Sequence, residues 1–286
     1  MIDDRQQYFD PSYYNEGYYA NMAQGNYKYF VETKGRSLLQ NRINDILKVK
    51  ILPGMHVLDI GCGRGELVMY TAFKGAIAYG IDYSGESISQ AHKCLEFYPP
   101  EVHNNIHLYK SSIENMPFSG DIKFDRIMSW ASIEHFHQWQ WIRCLKNIYK
   151  LLKDDGVIVV ATHPSAWYQN IGYPMIRPIK QLLLKKRLPT AKELHLNDLK
   201  TGHVNLKSPI QLKNDFTECN FKVKIILEKR TDYEINQTVA KAVGMVLENI
   251  PSFNRIFRQN IIAIAAKSEK VLNDFNKLNN ADLIGN

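Results

Sequence analysis

The residues best suited to chemistry cluster between His56 and Leu67, in the run His-Val-Leu-Asp-Ile-Gly-Cys-Gly-Arg-Gly-Glu-Leu. Val57, Leu58 and Ile60 form a short apolar run that stops at Gly61, Gly63 and Gly65, after which Leu67, Val68, Thr71 and Ala72 recur at helical spacing. This predicts a strand, a glycine turn and a helix. Glycines let a ligand approach the main chain closely, and unpaired N–H groups at a helix start favour an anionic group. The next apolar run, Ile77 to Ile81, closes on Asp82, where a carboxylate is placed to accept both hydroxyl protons of a ribose diol. A nucleotide-like ligand is therefore expected. It is not a dinucleotide of the usual kind, because the third glycine of that fingerprint is replaced by Glu66, whose carboxylate repels a pyrophosphate.

Asp59, Gly61, Gly63 and Gly65 resemble motif I of the class I S-adenosylmethionine (SAM) methyltransferases, in the style of methyltransferase types 11 and 25. Asp82-Tyr83-Ser84 is similar to motif II of that family, and Ser111 to Phe118 to the segment that meets the adenine. The resemblance implies SAM as cofactor, S-adenosylhomocysteine as product, and cofactor contacts from Asp59, Gly61, Gly63, Gly65, Asp82, Tyr83, Ser112, Ile113 and Trp130. At the adenine position the family's usual Asp is Ser112; the contact falls to its hydroxyl or to Glu114, or is lost. Ala131 to Phe136 resembles the loop facing the methyl group. Some relatives carry Glu-x-x-Glu-His there and hold a divalent metal, but the first Glu position is Ala131, so no metal is expected.

Methyl transfer to a hydroxyl needs an in-line approach and removal of a proton. His135 is the first choice of base and His163 the second, with Glu134 as a further candidate; capping and packing are the competing explanation for Glu134 and His135. The resemblance also implies a lid of paired N-terminal tyrosines, at Tyr13-Tyr14 or Tyr18-Tyr19, that touches SAM or the acceptor; packing on the domain surface is the competing explanation for most of these rings, and acceptor contacts are expected from Tyr18, Tyr19, Trp167 and Tyr168. A carboxylate acceptor would need no base.

The elements that must position these groups follow from periodicity. Val31, Leu38, Leu39, Ile43, Ile46 and Leu47 trace one face of a helix that ends before Pro53-Gly54, so residues 1–53 read as a helical lid. Strands are expected at Val57 to Ile60, Ile77 to Ile81, Ile106 to Tyr109, Phe124 to Trp130, Val157 to Ala161, Phe221 to Leu227 and Asn260 to Ala266. The fold class is α/β: a doubly wound, mostly parallel seven-stranded sheet with an antiparallel last strand and helical insertions, as the resemblance implies. The SAM-binding domain spans 54–268, with insertions at about 165–205 and 230–259 and a polar tail at 269–286. The first insertion gathers Arg177, Lys180, Lys185, Lys186, Arg187 and Lys192, together with His195 and His203. On a helical wheel these cations fall on several sides, which favours a substrate cap over a membrane-binding helix. In the second, Val239, Val243, Val246, Leu247 and Ile250 share one side, which suits core, a pocket wall or a homodimer contact.

The chain of 286 residues, 45% hydrophobic and 23% charged, reads as an ordinary globular protein. Its 36 Lys and Arg against 29 Asp and Glu leave a mild +7. The charges are too scattered to favour nucleic acid. The four cysteines form no C-x-x-C pair, no run reaches membrane-spanning length, and the N-terminus carries no apolar signal core, so a cytoplasmic protein is expected. The acceptor is expected to be a small molecule or glycan, methylated on a hydroxyl oxygen; an RNA or protein methyltransferase and a non-catalytic SAM-fold subunit are the alternatives.

Overall fold

The computed structural model describes residues 10–14, 17–18, 26–119, 121–228, 249–250, 253–278 and 283–284. Seven strands form one sheet: β1 (His56–Ile60), β2 (Ile77–Asp82), β3 (Ile106–Lys110), β4 (Phe124–Trp130), β5 (Leu152–Thr162), β6 (Lys222–Glu228) and β7 (Asn260–Ala266). Their order is β3-β2-β1-β4-β5-β7-β6. The first five run parallel, and β7 inserts antiparallel between β5 and β6, as expected from the sequence.

The helices of two turns or about that length are α1 (Asn26–Glu32), α2 (Gln40–Val49), α3 (Glu66–Phe73), α4 (Gly85–Cys94), α5 (Gln138–Leu151), α6 (Tyr173–Leu184), α7 (Ala191–Lys200), α8 (Pro209–Glu218) and α9 (Glu269–Lys277). Successive strand residues point to opposite faces, and the core divides accordingly. Val57, Ala78, Met128 and Val157 pack with Ile46, Val68, Leu272 and Phe275 of α2, α3 and α9. Leu58, Ile81, Ile127 and Ile158 pack with Trp141, Leu145, Ile148 and Phe216 of α5 and α8. Ser208 starts α8 by a reciprocal capping box with Gln211, and Thr190 starts α7 the same way with Glu193.

Three elements differ from the sequence reading. The single helix expected through Val31 and Leu47 is two, because Lys34 and Gly35 take left-handed φ values of 50° and 69° and the Tyr98 hydroxyl donates to the Gly35 carbonyl at 2.7 Å. The fifth strand, expected from Val157, begins at Leu152 and takes Asp154-Asp155-Gly156 into a register shift, since Leu152 already pairs with Phe124 before Val157 pairs with Arg126. The segment read as a polar tail opens with α9, which buries Leu272 and Phe275 against the sheet. The Val239 to Leu247 stripe lies outside the described residues; Ile250 is exposed.

Candidate functional site

At the carboxyl end of β1 the chain turns through Gly61 and Gly65 with φ of 71° and 73°. A Cβ on Gly61 would fall 2.5 Å from Ser132 Oγ, so this backbone passes directly beside the loop after β4, where a side chain has no room. Asp82, closing β2, fastens the turn: its Oδ2 accepts the Gly63 N–H and its Oδ1 the Ser84 N–H, both at 2.9 Å. Burial pushes the Asp82 carboxyl up to about 6 against those two bonds. Asp59 beneath the turn is pushed up to about 7, mainly by burial and further by Asp82, with Arg42 opposing. Glu66, where the dinucleotide fingerprint has glycine, pairs with the buried Arg64 at 2.7 Å.

Above this turn a cavity is walled by Gly61, Gly63, Asp82, Tyr83, Ile113 and Trp130. It continues beside Tyr83 into a recess holding Ser112, Glu114 and Gln140. Ser112 and Glu114, the alternatives for the adenine edge, thus share one end. Tyr14 covers the cavity, its ring 5.0 Å from Tyr18, 5.8 Å from Tyr83 and 5.9 Å from His135. Tyr14 belongs to the Tyr13-Tyr14 pair and lines the cavity together with Tyr18, so each expected pair supplies one lining ring. Tyr18 also lines the cavity, and burial pushes its hydroxyl up to about 12. Tyr19 lies outside the described residues. The buried Trp130 Nε1 has no hydrogen-bond partner among the described residues and is a donor available at this wall. Close backbone, a central carboxylate and an adjoining aromatic ring fit an adenosyl group.

Beyond Trp130, Ala131 adopts a left-handed φ of 52° and begins the loop that carries Glu134 and His135. Glu134 is buried, accepts the Thr162 hydroxyl at 2.8 Å, and is pushed up to about 7 by that burial. His135 Nδ1 lies 3.1 Å from the Gly202 carbonyl, which makes it the N–H donor. Burial, reinforced by His203 with its ring 4.7 Å away, holds His135 down to about 3. His163, at the end of β5, keeps 42% of its side chain exposed and sets Nδ1 3.9 Å from Glu134 Oε1. Glu134, His135 and His203 bring three donor atoms within 4.8 Å of one another, the one such cluster among the described residues. His203 reaches it from the first insertion, a meeting that linear spacing does not reveal.

His163 and Thr162 also face a second cavity of about 430 Å³, which shares Trp130 and Ala131 with the first. Asn41, Asn44 and Arg42 of α2 and Asn260 of β7 complete its polar walls. Ion pairs join Arg42 to Asp45 at 3.0 Å and Lys48 to Glu228 at 2.7 Å along its floor and rim. The sequence reading missed this constellation, because its members look like the solvated face of a helix. Trp167 lines a separate groove with His195 and His203, and Tyr168 packs beside Tyr173 with ring centroids 6.3 Å apart.

A family model described as "Methyltransferase domain" matches residues 31–224, more than half of the chain. The mouse mitochondrial ubiquinone biosynthesis O-methyltransferase is 32% identical over 116 residues, covering 40% of this chain and 30% of the relative. The (S)-coclaurine N-methyltransferase of Papaver somniferum is 31% identical over 143 residues, covering 44% and 38%. The chain thus spans about half or less of the curated relatives it matches. Among solved structures, the magnesium protoporphyrin IX methyltransferase of Synechocystis with bound S-adenosylhomocysteine superposes with a TM-score of 0.52 at 15% identity, covering 88% of this chain and 97% of the other.

Proposed function

This chain belongs to the methyltransferase-domain family, and on that premise we propose that it takes S-adenosylmethionine as methyl donor and methylates a hydroxyl oxygen of a small-molecule or glycan acceptor, with His163 taking the proton. The observation that carries this reading is the polar cavity shared by Trp130, Ala131 and His163, whose amide, hydroxyl and charged walls suit a hydroxyl-rich acceptor. The four free thiols, Cys62, Cys94, Cys144 and Cys219, suit a cytoplasmic setting.

Within this reading Asp82 holds the ribose diol, Tyr83 lies against the adenine, and Ser112, Ile113 and Glu114 meet its edge. Gly61, Gly63 and Gly65 give the close backbone, while Trp130 and Tyr18 wall the amino-acid end. The donor's sulfonium supplies a methyl group that is already electrophilic. Asp82, ionised above about 6, supplies negative potential for a cationic cofactor. His163 accepts the acceptor's hydroxyl proton, and Glu134 beside it stabilises the imidazolium. This order reverses the sequence preference for His135, whose Nδ1 is committed to Gly202 and whose burial disfavours the protonated form.

The test is methyl transfer from isotopically labelled SAM to matched panels of sugars, phenols, amines and carboxylic acids. Transfer to hydroxyls is expected, with a rate that rises as an imidazole deprotonates. Transfer confined to amines or carboxylic acids overturns the hydroxyl assignment.

A further inference from the structure

The first insertion leaves the sheet after His163 and carries an apolar stripe that nothing among the described residues covers. Ile171, Met175, Ile179, Leu182 and Leu183 are exposed by 45, 50, 48, 79 and 39%. Steps of four, four and three residues from Ile171 to Leu182 keep them on one side of the turn Tyr168–Gly172 and of α6, while Tyr173 is buried on the opposite side and Ile176 is buried at the edge of the stripe beside Leu183. Isolated exposed apolar residues are ordinary, but a continuous stripe marks a contact surface.

The charges beside the stripe indicate what it contacts. No acidic residue occurs between Asp155 and Glu193. The wheel argument against a membrane face placed cations on several sides of one helix, and the structure removes that objection. Arg177 turns away from the stripe and donates to the carbonyls of Leu188 and Pro189, fastening the following loop to α6. Lys185 ends the helix in a left-handed conformation with φ of 47°, so Lys185, Lys186 and Arg187 gather beyond its C-terminus and not around it. Arg187 pairs with Glu193 at 2.6 Å, and Lys185 and Lys186 are exposed.

We propose that the stripe from Ile171 to Leu183, with Lys185 and Lys186 at its end, docks α6 flat on the surface of an anionic phospholipid bilayer. Apolar side chains enter the acyl boundary while the lysines reach the headgroup phosphates. The chain's net +7 adds long-range attraction of the same sign. A second copy of the chain fits less well, because a two-fold contact through this stripe brings two like basic clusters together. The proposal goes beyond the acceptor and base assigned above and does not depend on either.

The test is sedimentation of the full chain with vesicles of phosphatidylcholine alone and of phosphatidylcholine mixed with phosphatidylglycerol. Binding is expected only to the mixed vesicles and is expected to weaken with salt. Leu182→Glu combined with Met175→Glu is expected to weaken it by roughly tenfold or more, and Lys185→Ala and Lys186→Ala by about fivefold each. Since all four side chains are exposed, their variants keep the wild-type melting temperature and SAM affinity, which separates lost docking from lost folding. Failure of the wild type to bind mixed vesicles, or unchanged binding by the Leu182→Glu, Met175→Glu variant, overturns the proposal. So does a dimer in solution that the same variant dissociates without changing vesicle binding.

Discussion

The two ends of the sheet's carboxyl edge are built by opposite means. Around β1, β2 and β3 the cofactor cradle is made of contiguous segments: a glycine turn, the Asp82 that fastens it two hydrogen bonds deep, and the Tyr83 that follows. Around β5, β6 and β7 the second cavity is assembled from distant side chains, Lys48 meeting Glu228 across 180 residues and Arg42 sharing its walls with Thr162 and Asn260. Backbone geometry forms the first and side-chain encounter forms the second. A methyl donor common to many enzymes needs one fixed shape, whereas an acceptor site gains from parts that can change independently.

The sharpest way to break this division is at His163. His163→Ala is expected to lower kcat by roughly 10²- to 10⁴-fold with SAM affinity unchanged, while His135→Ala lowers it far less. Equal losses in both variants, measured under single-turnover conditions, would return the base to His135. On the cradle side, Asp82→Asn should weaken SAM about 10- to 100-fold by calorimetry, the scale of a lost charged hydrogen bond, and leave the acceptor KM in place. An acceptor KM that moved equally would dissolve the boundary between the two regions.

Stability against pH tests both regions together. Asp59, Asp82 and Glu134 are raised to about 7, 6 and 7, chiefly by burial, from ordinary values near 4. Between those limits the folded chain holds more protons than the unfolded one, so stability declines as pH rises and is highest on the acid side of the window. Melting temperatures of the SAM-free protein should fall across that window, and Glu134→Gln should flatten part of the slope. A rising curve would mean that these carboxylates are ionised by partners stronger than their burial.

Smaller effects remain at the rim. The Lys48–Glu228 pair leaves 31% and 34% of its two side chains exposed, so a double-mutant cycle should give a coupling of about 0.2–1 kcal/mol. Chelation by EDTA should leave kcat unchanged. Glu134 already accepts the Thr162 hydroxyl, and Ala131 adds no carboxylate to the Glu134, His135 and His203 cluster. A loss of activity restored by a divalent ion would instead make that cluster a metal site.

The same division explains what the sequence reveals. The strands and the turn through Gly61 and Gly65 are legible because apolar runs, glycine and a strand-closing Asp act over a few residues, while the arrangement of the sheet follows from the family resemblance. Arg42, Asp45 and Lys48 are not, because a helix surface facing a cavity and one facing water carry the same residue types. The proposed preference for His163 over His135 rests on burial and a carbonyl partner, neither of which local sequence carries, since Gly202 lies far along the chain. The exposed stripe of α6 is hidden in the sequence because Lys185, Lys186 and Arg187 read as part of the helix, whereas the left-handed Lys185 places them past its end.

The antiparallel seventh strand has an engineering consequence. Because β5 ends and β7 begins at the same edge, with β6 ending there too, the chain leaves the sheet for its insertions on the side that carries the glycine turn. The Ala166 N–H donates to the Lys207 carbonyl at 2.9 Å, so the first insertion is closed at its neck. A change of length or sequence between those two residues is therefore expected to leave the strand pairing in place, and the surface around the site can vary without redesign of the core.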